Sequence, residues 1–217
     1  MLLAGWINAG ICYETRIPDI TEADLRKNFG IHYLAGLYLT QKAWPYFIKQ
    51  GGGNLAYIIS PAGMYGNNMF SVYGSAKMAS YGLMRTAHLE GREHNIKANC
   101  IQVGAISRMC NVMPPAVIEW FKKYMDPRGV SSALLWLVHK DNGLSGEVLN
   151  AYGWHCDRML IASTRGYTKV GYTPEDLCEH EAEILSTDQI LKSESAYDDL
   201  MHFSDSIAGV GGEPIPF

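Results

Sequence analysis

The chain has 217 residues, 47% of them hydrophobic, and a formal net charge of −4. This length and apolar content indicate one sizeable core, and the acidic balance argues against a nucleic-acid-binding protein because no basic stripe is available to bind phosphates. The five cysteines are scattered, none stands in a CxxC pair and no HExxH motif occurs, so we predict reduced thiols and no metal site.

Neither end of the chain carries a targeting signal that we recognise. Residues 1–10 lack the charged region and the long apolar segment of a signal peptide, and the closing PIPF matches no peroxisomal or retention signal. No stretch approaches the ~20 apolar residues of a membrane span. We therefore expect a cytoplasmic protein with no membrane partner.

The first elements follow one another as strand, helix and strand. The apolar run 2–7 predicts a buried strand that ends in a turn of small residues at 8–10. A long helix is predicted over 21–49, with Thr21 as its N-cap and the glycines at 51–53 ending it.

The alternation continues through most of the chain. Further strands are predicted at 54–60, 97–103 and 146–152, and further helices at 73–91 and 130–140. Strands that alternate with helices are typical of an α/β protein with a doubly wound parallel sheet. We expect this catalytic domain within residues 1–152.

The composition changes after that point. Residues 153–217 predict an appendage with one helix at 172–185, where Thr173 is the N-cap and Pro174 the first helical residue, and a Gly/Pro-rich tail. The appendage fits surface padding and a substrate lid equally well.

A serine, a tyrosine and a lysine form the candidate catalytic set. Ser60 ends the strand at 54–60, where α/β sheets place their chemistry. Tyr73 follows Ser60 by thirteen residues, and Lys77 lies one helical turn after Tyr73 on the same face. A lysine ammonium beside a phenol favours the phenolate, so we expect the pKa of Tyr73 to be lowered for acid–base work.

The spacing YxxxK alone is a weak signal, because it also arises by chance in an ordinary helix. The chain contains a second match at Tyr38 and Lys42, and the residue thirteen positions before Tyr38 is Leu25. That copy therefore has no serine partner, and the serine makes Ser60, Tyr73 and Lys77 the better candidate.

Asn8-Ala9-Gly10 followed by Ser60, Tyr73 and Lys77 resembles the short-chain dehydrogenase/reductase family, whose Rossmann-like fold binds NAD or NADP. Segments 31–44 and 87–109 resemble the (3R)-hydroxyacyl-CoA dehydrogenase branch, which includes peroxisomal multifunctional enzymes of type 2 and actinobacterial relatives. The resemblance covers residues 7 to about 160.

The resemblance implies a role for each member of the catalytic set. Tyr73 would be the general acid/base for the substrate oxygen, Lys77 would hold the nicotinamide ribose, and Ser60 would orient the substrate oxygen. His32 lies where much of the family has Asn and where this branch has His. It would act through its backbone or a water relay, and a packed helix histidine is the other reading.

The same resemblance implies the cofactor-binding residues. Those that would line the adenine side are Asn8, Ala9 and Gly10, and those near the nicotinamide are Val103, Gly104 and Ser107. The family has Pro-Gly where this chain has Val103-Gly104, so Val103 is expected to make a backbone contact only.

The largest departure from the family is at the front. The family begins with a strand, a TGxxxGxG loop and a helix that binds the pyrophosphate. Only seven residues precede Asn8, whereas one βαβ unit takes ~30 or more. We expect an N-terminally truncated fold with its middle strand exposed, arising from a truncated product, a misassigned start or a pseudoenzyme.

Two functions remain open. The first is NAD(P)-dependent interconversion of a secondary alcohol and a ketone, on a small molecule such as a 3-hydroxyacyl-CoA or a steroid-like compound. The second is a catalytically silent module that dimerises. In both cases helices 21–49 and 73–91 would form the interface of a homodimer or homotetramer.

Overall fold

The structure is a computed structural model that describes residues 4–216. It divides into two compact units, the first ending at Met159 and the second beginning at Leu160. The division falls directly after the last strand of the larger sheet.

The first unit is built on a five-stranded sheet. Its strands are β1 (Ala4–Ile7), β2 (Gly53–Ile59), β3 (Ile96–Gly104), β4 (Val148–Tyr152) and β5 (His155–Met159). They lie side by side in chain order, the first four parallel and β5 antiparallel to β4. The predicted parallel α/β sheet is confirmed, and the hairpin strand β5 was not predicted. Residues 2 and 3 of the first predicted strand lie outside the described residues.

Helices connect the parallel strands. They are α1 (Glu22–Phe29), α2 (Ala35–Gln50), α3 (Pro61–Met64), α4 (Ser71–Gly91), α5 (Pro115–Tyr124) and α6 (Pro127–Leu137). The helix predicted over 21–49 is interrupted by a π-helical turn at Gly30–Leu34. Its predicted ends are confirmed, because Thr21 and Asp24 form a capping box and Gly51 ends α2 with a φ of 84°.

Alternating side chains of the strands bury two cores, one on each face of the sheet. On one face Leu55, Tyr57 and Ile59 of β2 share a cluster with residues of α2 and α4, including Phe47 and Met84. On the other face the cluster joins β2, β3 and β4 to α6; its members include Ala56, Ile58, Ile101, Val130, Ala133 and Leu137. The sheet is therefore doubly wound, as the alternation of strands and helices predicted.

Strand β1 lies at the edge of this sheet. Within residues 4–216 it pairs with β2 alone, and the side chain of Trp6 is 51% exposed. The exposure that we expected for this strand is therefore present.

The second unit contains three helices and a small antiparallel ribbon. The helices are α7 (Pro174–Glu179), α8 (Glu181–Leu185) and α9 (Ala196–Gly209). The ribbon pairs β6 (Ser163–Thr164) with β7 (Ile190–Leu191). The helix predicted at 172–185 breaks at His180, although Thr173 and Pro174 start it as predicted. Helix α9 was not predicted.

Across the described part of the chain, no helix has both the length and the apolar character needed to cross a membrane.

Candidate active site

Ser60 and Tyr73 are brought together by the close packing of α3 on α4. Ser60 directly follows β2 and caps α3, its hydroxyl accepting a hydrogen bond of 3.2 Å from the amide of Ala62. Helix α4 approaches so closely that a Cβ on Gly74 would lie 2.6 Å from the carbonyl oxygen of Ala62. The glycine at position 74 thus permits the contact that sets the Ser60 hydroxyl against the Tyr73 phenol.

The Tyr73 phenol is held in its protonated form. Burial raises the pKa of Tyr73 above its ordinary value, the nearby Cys12 acts in the same direction, and a side-chain hydrogen bond with Ser60 acts to lower it. The lowered pKa that we expected from Lys77 is therefore wrong for this structure. The Lys77 Nζ lies 5.8 Å from the centre of the Tyr73 ring, and burial of the phenol is the largest cause of the raised pKa.

Among the described residues, Lys77 is the single lysine or arginine that is buried. It is 5% exposed, and its Nζ donates a hydrogen bond of 2.8 Å to the carbonyl oxygen of Ile58. Burial lowers the pKa of Lys77 to about 8, while Cys100 and Cys12 act to raise it. The ammonium is therefore charged at neutral pH and loses its charge a little above it.

His32 contacts both the tyrosine and the loop after β1. Its ring meets the Tyr73 ring edge-on, with centres 5.1 Å apart and planes at 84°. Its Nε2 lies 2.8 Å from the carbonyl oxygen and 3.3 Å from the amide nitrogen of Ile11. The π-helical turn carries this side chain, and the carbonyl oxygen of His32 accepts a hydrogen bond of 2.9 Å from Ser80.

The His32 ring is neutral. Burial, and then the charge of Lys77, lower the pKa of His32 to about 4. The ring is 3% exposed, and its Nδ1 has no hydrogen-bond partner among residues 4–216. A buried nitrogen without a partner is uncommon in folded proteins.

The segment predicted to line the adenine side follows the edge strand. Asn8, Ala9 and Gly10 are exposed and come directly after β1. A Cβ on Gly10 would lie 2.8 Å from Cε1 of His32, so only glycine allows the chain to pass this ring. This segment and the histidine are therefore neighbours.

The residues predicted near the nicotinamide lie at the end of β3. A Cβ on Gly104 would overlap the ring of Tyr152, and Val103 packs against the core beneath α6. Ser107 caps the following helical turn, its hydroxyl accepting a hydrogen bond of 3.2 Å from the amide of Met109. Because β1, β2 and β3 are parallel, the segments after them lie at one edge of the sheet.

Two groups at the site were not predicted from the sequence. The Ile58 carbonyl that accepts from Lys77 is a backbone group, which no residue pattern reveals. Cys12 affects the pKa of both Tyr73 and Lys77, and its only signal was its place two residues after Gly10.

The residues present fit one end of a dinucleotide. A buried ammonium beside a phenol suits the hydroxyls of a ribose. For the pyrophosphate, residues 4–216 contain no glycine-rich loop between a strand and a helix N-terminus, since the glycines at 51–53 lead from α2 into β2.

Comparisons with known proteins find related sequences. The family model described as short chain dehydrogenase matches residues 6–112. The chain is 30% identical over 204 residues to peroxisomal multifunctional enzyme A of Dictyostelium discoideum, a match that covers 94% of this chain and 44% of that protein. It is 34% identical over 182 residues to the peroxisomal hydratase-dehydrogenase-epimerase of Saccharomyces cerevisiae, covering 82% of this chain and 20% of that protein.

The fold also matches a solved structure. Full-length peroxisomal multifunctional enzyme type 2 of Drosophila melanogaster superimposes with a TM-score of 0.82 at 19% identity, over 94% of this chain and 38% of that one. The chain thus spans less than half the length of each of these three relatives.

Proposed function

This chain belongs to the short-chain dehydrogenase/reductase family, and we propose that it interconverts a secondary alcohol and a ketone with NAD or NADP. The observation that carries the proposal is the meeting of Ser60, Tyr73 and Lys77 at the carboxyl edge of a parallel sheet. The substrate class that we propose is a 3-hydroxyacyl-CoA, with a steroid-like alcohol as the alternative. The name of the yeast relative includes a dehydrogenase, which supports the proposed reaction class.

Tyr73 would move the proton. In the direction of reduction the phenol donates its proton to the substrate carbonyl oxygen, and in oxidation the phenolate accepts it from the hydroxyl. A raised pKa keeps the phenol protonated at neutral pH, which favours reduction. The hydroxyls of Ser60 and Tyr73 would donate to the substrate oxygen where negative charge develops.

Lys77 and the segments around it would hold the cofactor, which supplies or accepts the hydride when bound. The Lys77 ammonium would bind the ribose hydroxyls. The other residues proposed to bind the cofactor are Asn8, Ala9, Gly10, Val103, Gly104 and Ser107. Their support is their place at one edge of the sheet, after β1 and β3.

We propose that His32 contributes through its ring rather than its backbone. Its carbonyl oxygen is already bonded to Ser80, whereas its ring joins the loop at Ile11 to the face of Tyr73. A neutral ring at this place would fix the position of the Tyr73 phenol relative to the loop after β1 during proton transfer.

The alternative is a catalytically silent structural module. It is favoured by the hydrogen bond that already engages the Lys77 ammonium with the carbonyl oxygen of Ile58.

Titration of the purified chain with NADH and with NADPH, followed by nicotinamide fluorescence, separates the two proposals. Saturable binding, with turnover of a 3-hydroxyacyl-CoA or a steroid alcohol, supports the dehydrogenase. Absence of binding at millimolar cofactor supports the silent module.

We also propose self-association through α1–α2 and α4 to a homodimer or homotetramer, in the cytoplasm. Helix α2 exposes Tyr38, Leu39 and Tyr46, each more than half exposed, and α4 exposes the small residues Ser75 and Thr86. Small side chains let a second copy approach closely. Sedimentation of the wild type and of Leu39→Glu tests the interface, and a change from dimer or tetramer to monomer is expected.

For the compartment, microscopy of a tagged chain decides between the cytoplasm and the peroxisome named for the relatives.

A further inference from the structure

A cavity of about 430 Å³ lies between two loops of the first unit. The loops are those that follow β1 and β2, and they are joined by a hydrogen bond of 2.9 Å from the amide of Thr15 to the carbonyl oxygen of Met69. The lining residues that matter here are Arg16, Ile17, Asn67, Asn68, Met69 and Ser71.

This cavity adjoins the candidate active site without sharing its catalytic side chains. Ser71 is the first residue of α4 and precedes Tyr73 by two residues. The first turn of α4 therefore both lines the cavity and carries the phenol. Met69, at the edge of the cavity, has a φ of 66°, a left-handed conformation that residues other than glycine rarely adopt. Such strained residues cluster where a protein holds a ligand.

The lining has one charge, and it is positive. Among the lining residues only Arg16 is ionised at neutral pH, and its guanidinium makes no ion pair or hydrogen bond within residues 4–216. The side-chain amides of Asn67 and Asn68 likewise have no hydrogen-bond partner in the described chain. These three side chains are exposed and available to a ligand, and a guanidinium binds carboxylates and phosphates through two parallel hydrogen bonds.

Two further features refine the ligand. Helix α4 has 21 residues and its N-cap, Phe70, provides no side-chain hydrogen bond, so its first amides add to the positive potential. Ile17, which is 75% exposed, and Met69 form an apolar wall beside these donors. The cavity therefore suits an anionic group attached to an apolar or extended segment.

We propose that this cavity binds the non-reacting, anionic end of the substrate, a phosphate ester or carboxylate remote from the carbon that Tyr73 serves. This assignment rests on the proposed dehydrogenase function. Binding at a remote anionic group orients the reacting carbon and lowers the cost of bringing it to the phenol. Free inorganic phosphate offers the same chemistry without the apolar segment.

Calorimetric titration with octanoyl-CoA tests the assignment, because this thioester has no 3-hydroxyl and cannot turn over. Arg16→Gln is expected to weaken its binding about tenfold. Arg26→Gln is the matched control: it removes the same charge from an exposed arginine of α1 that pairs with Glu22, and binding should change less than about twofold. S-octanoylpantetheine, which lacks the phosphates, should bind wild type and Arg16→Gln equally.

A second variant covers the case in which Arg16→Gln folds poorly. Asn67→Asp leaves the arginine in place and adds a negative charge to the lining, so it should also weaken octanoyl-CoA binding and leave the neutral thioester unaffected. Equal binding of octanoyl-CoA by the wild type, Arg16→Gln and Asn67→Asp would overturn the assignment.

Two further outcomes are distinct. If inorganic phosphate alone binds as tightly as octanoyl-CoA and depends on Arg16, the cavity is a phosphate site and not a substrate subsite. If octanoyl-CoA binding depends on Arg16 but no 3-hydroxyacyl-CoA or steroid alcohol turns over with NAD or NADP, the anion site stands and the proposed dehydrogenase function fails.

Discussion

The Nζ of Lys77 donates a hydrogen bond of 2.8 Å to the carbonyl oxygen of Ile58, two residues before Ser60 on the same chain segment. This bond joins α4, which carries Tyr73, to the end of β2, which Ser60 directly follows. It also gives a buried ammonium a partner, without which its burial would be costly. One lysine thus connects the two elements that hold the proposed acid and the proposed substrate contact.

Replacing Tyr73 by Phe should abolish proton transfer. We expect kcat to fall by at least about 100-fold, because general acid–base groups contribute that much or more. Cofactor affinity, measured by nicotinamide fluorescence, should stay nearly unchanged. Tyr38→Phe is the control, since Tyr38 belongs to the second YxxxK match and is 57% exposed. A Tyr73→Phe protein with wild-type kcat would remove Tyr73 from the proposed mechanism.

Cofactor binding should weaken as the pH rises through about 8. The Lys77 ammonium has a pKa of about 8 in the protein, so its charge is present below that pH and lost above it. NADH titrations between about pH 6.5 and pH 9.5 measure the change, and Lys77→Met should bind weakly at every pH. If the wild type binds equally well across this range, Lys77 does not hold the cofactor through its charge.

His32 should make the protein less stable in mild acid. Its pKa is about 4 when folded, against about 6.5 in an unfolded chain, so the unfolded chain binds more protons between these values. The free energy of unfolding should therefore be unaffected above pH 6.5 and fall as the pH drops toward 4, by up to about 3 kcal/mol.

Urea unfolding of the wild type and of His32→Gln at a series of pH values checks this. The glutamine variant does not titrate, so the part of the acid destabilisation due to His32 should disappear. Identical pH dependence in the two proteins would show that His32 does not change its pKa on folding.

Gly74→Ala should separate Ser60 from Tyr73. The added Cβ would lie 2.6 Å from the carbonyl oxygen of Ala62, so α3 must move away from α4, and both stability and kcat should fall. Gly82→Ala is the matched control in the same helix: nothing lies within 4 Å of its Cβ, and alanine should stabilise the helix by up to about 1 kcal/mol. Thermal unfolding and kcat are measured for both variants. Equal effects of Gly74→Ala and Gly82→Ala would contradict the close packing of α3 on α4.

Local patterns predicted the elements better than the details within them. Thr21, Thr173 and Pro174 start helices where the sequence predicts, because capping depends on neighbouring residues only. The π-helical turn at Gly30–Leu34 was not foreseen, although it sets the direction of His32. Nothing in the helical periodicity of that stretch distinguishes such a turn from a regular helix.

The sequence by itself determined the alternating α/β order and the serine, tyrosine and lysine as a set, because these follow from periodicity and spacing along one chain. The tertiary structure alone decided the raised pKa of Tyr73, the lowered pKa of Lys77 and the charged cavity at Arg16. Desolvation depends on the atoms that surround a group, and those come from segments far apart in the chain. For Tyr73 the surroundings reversed the expectation, since burial raises the pKa that the lysine four residues away was expected to lower.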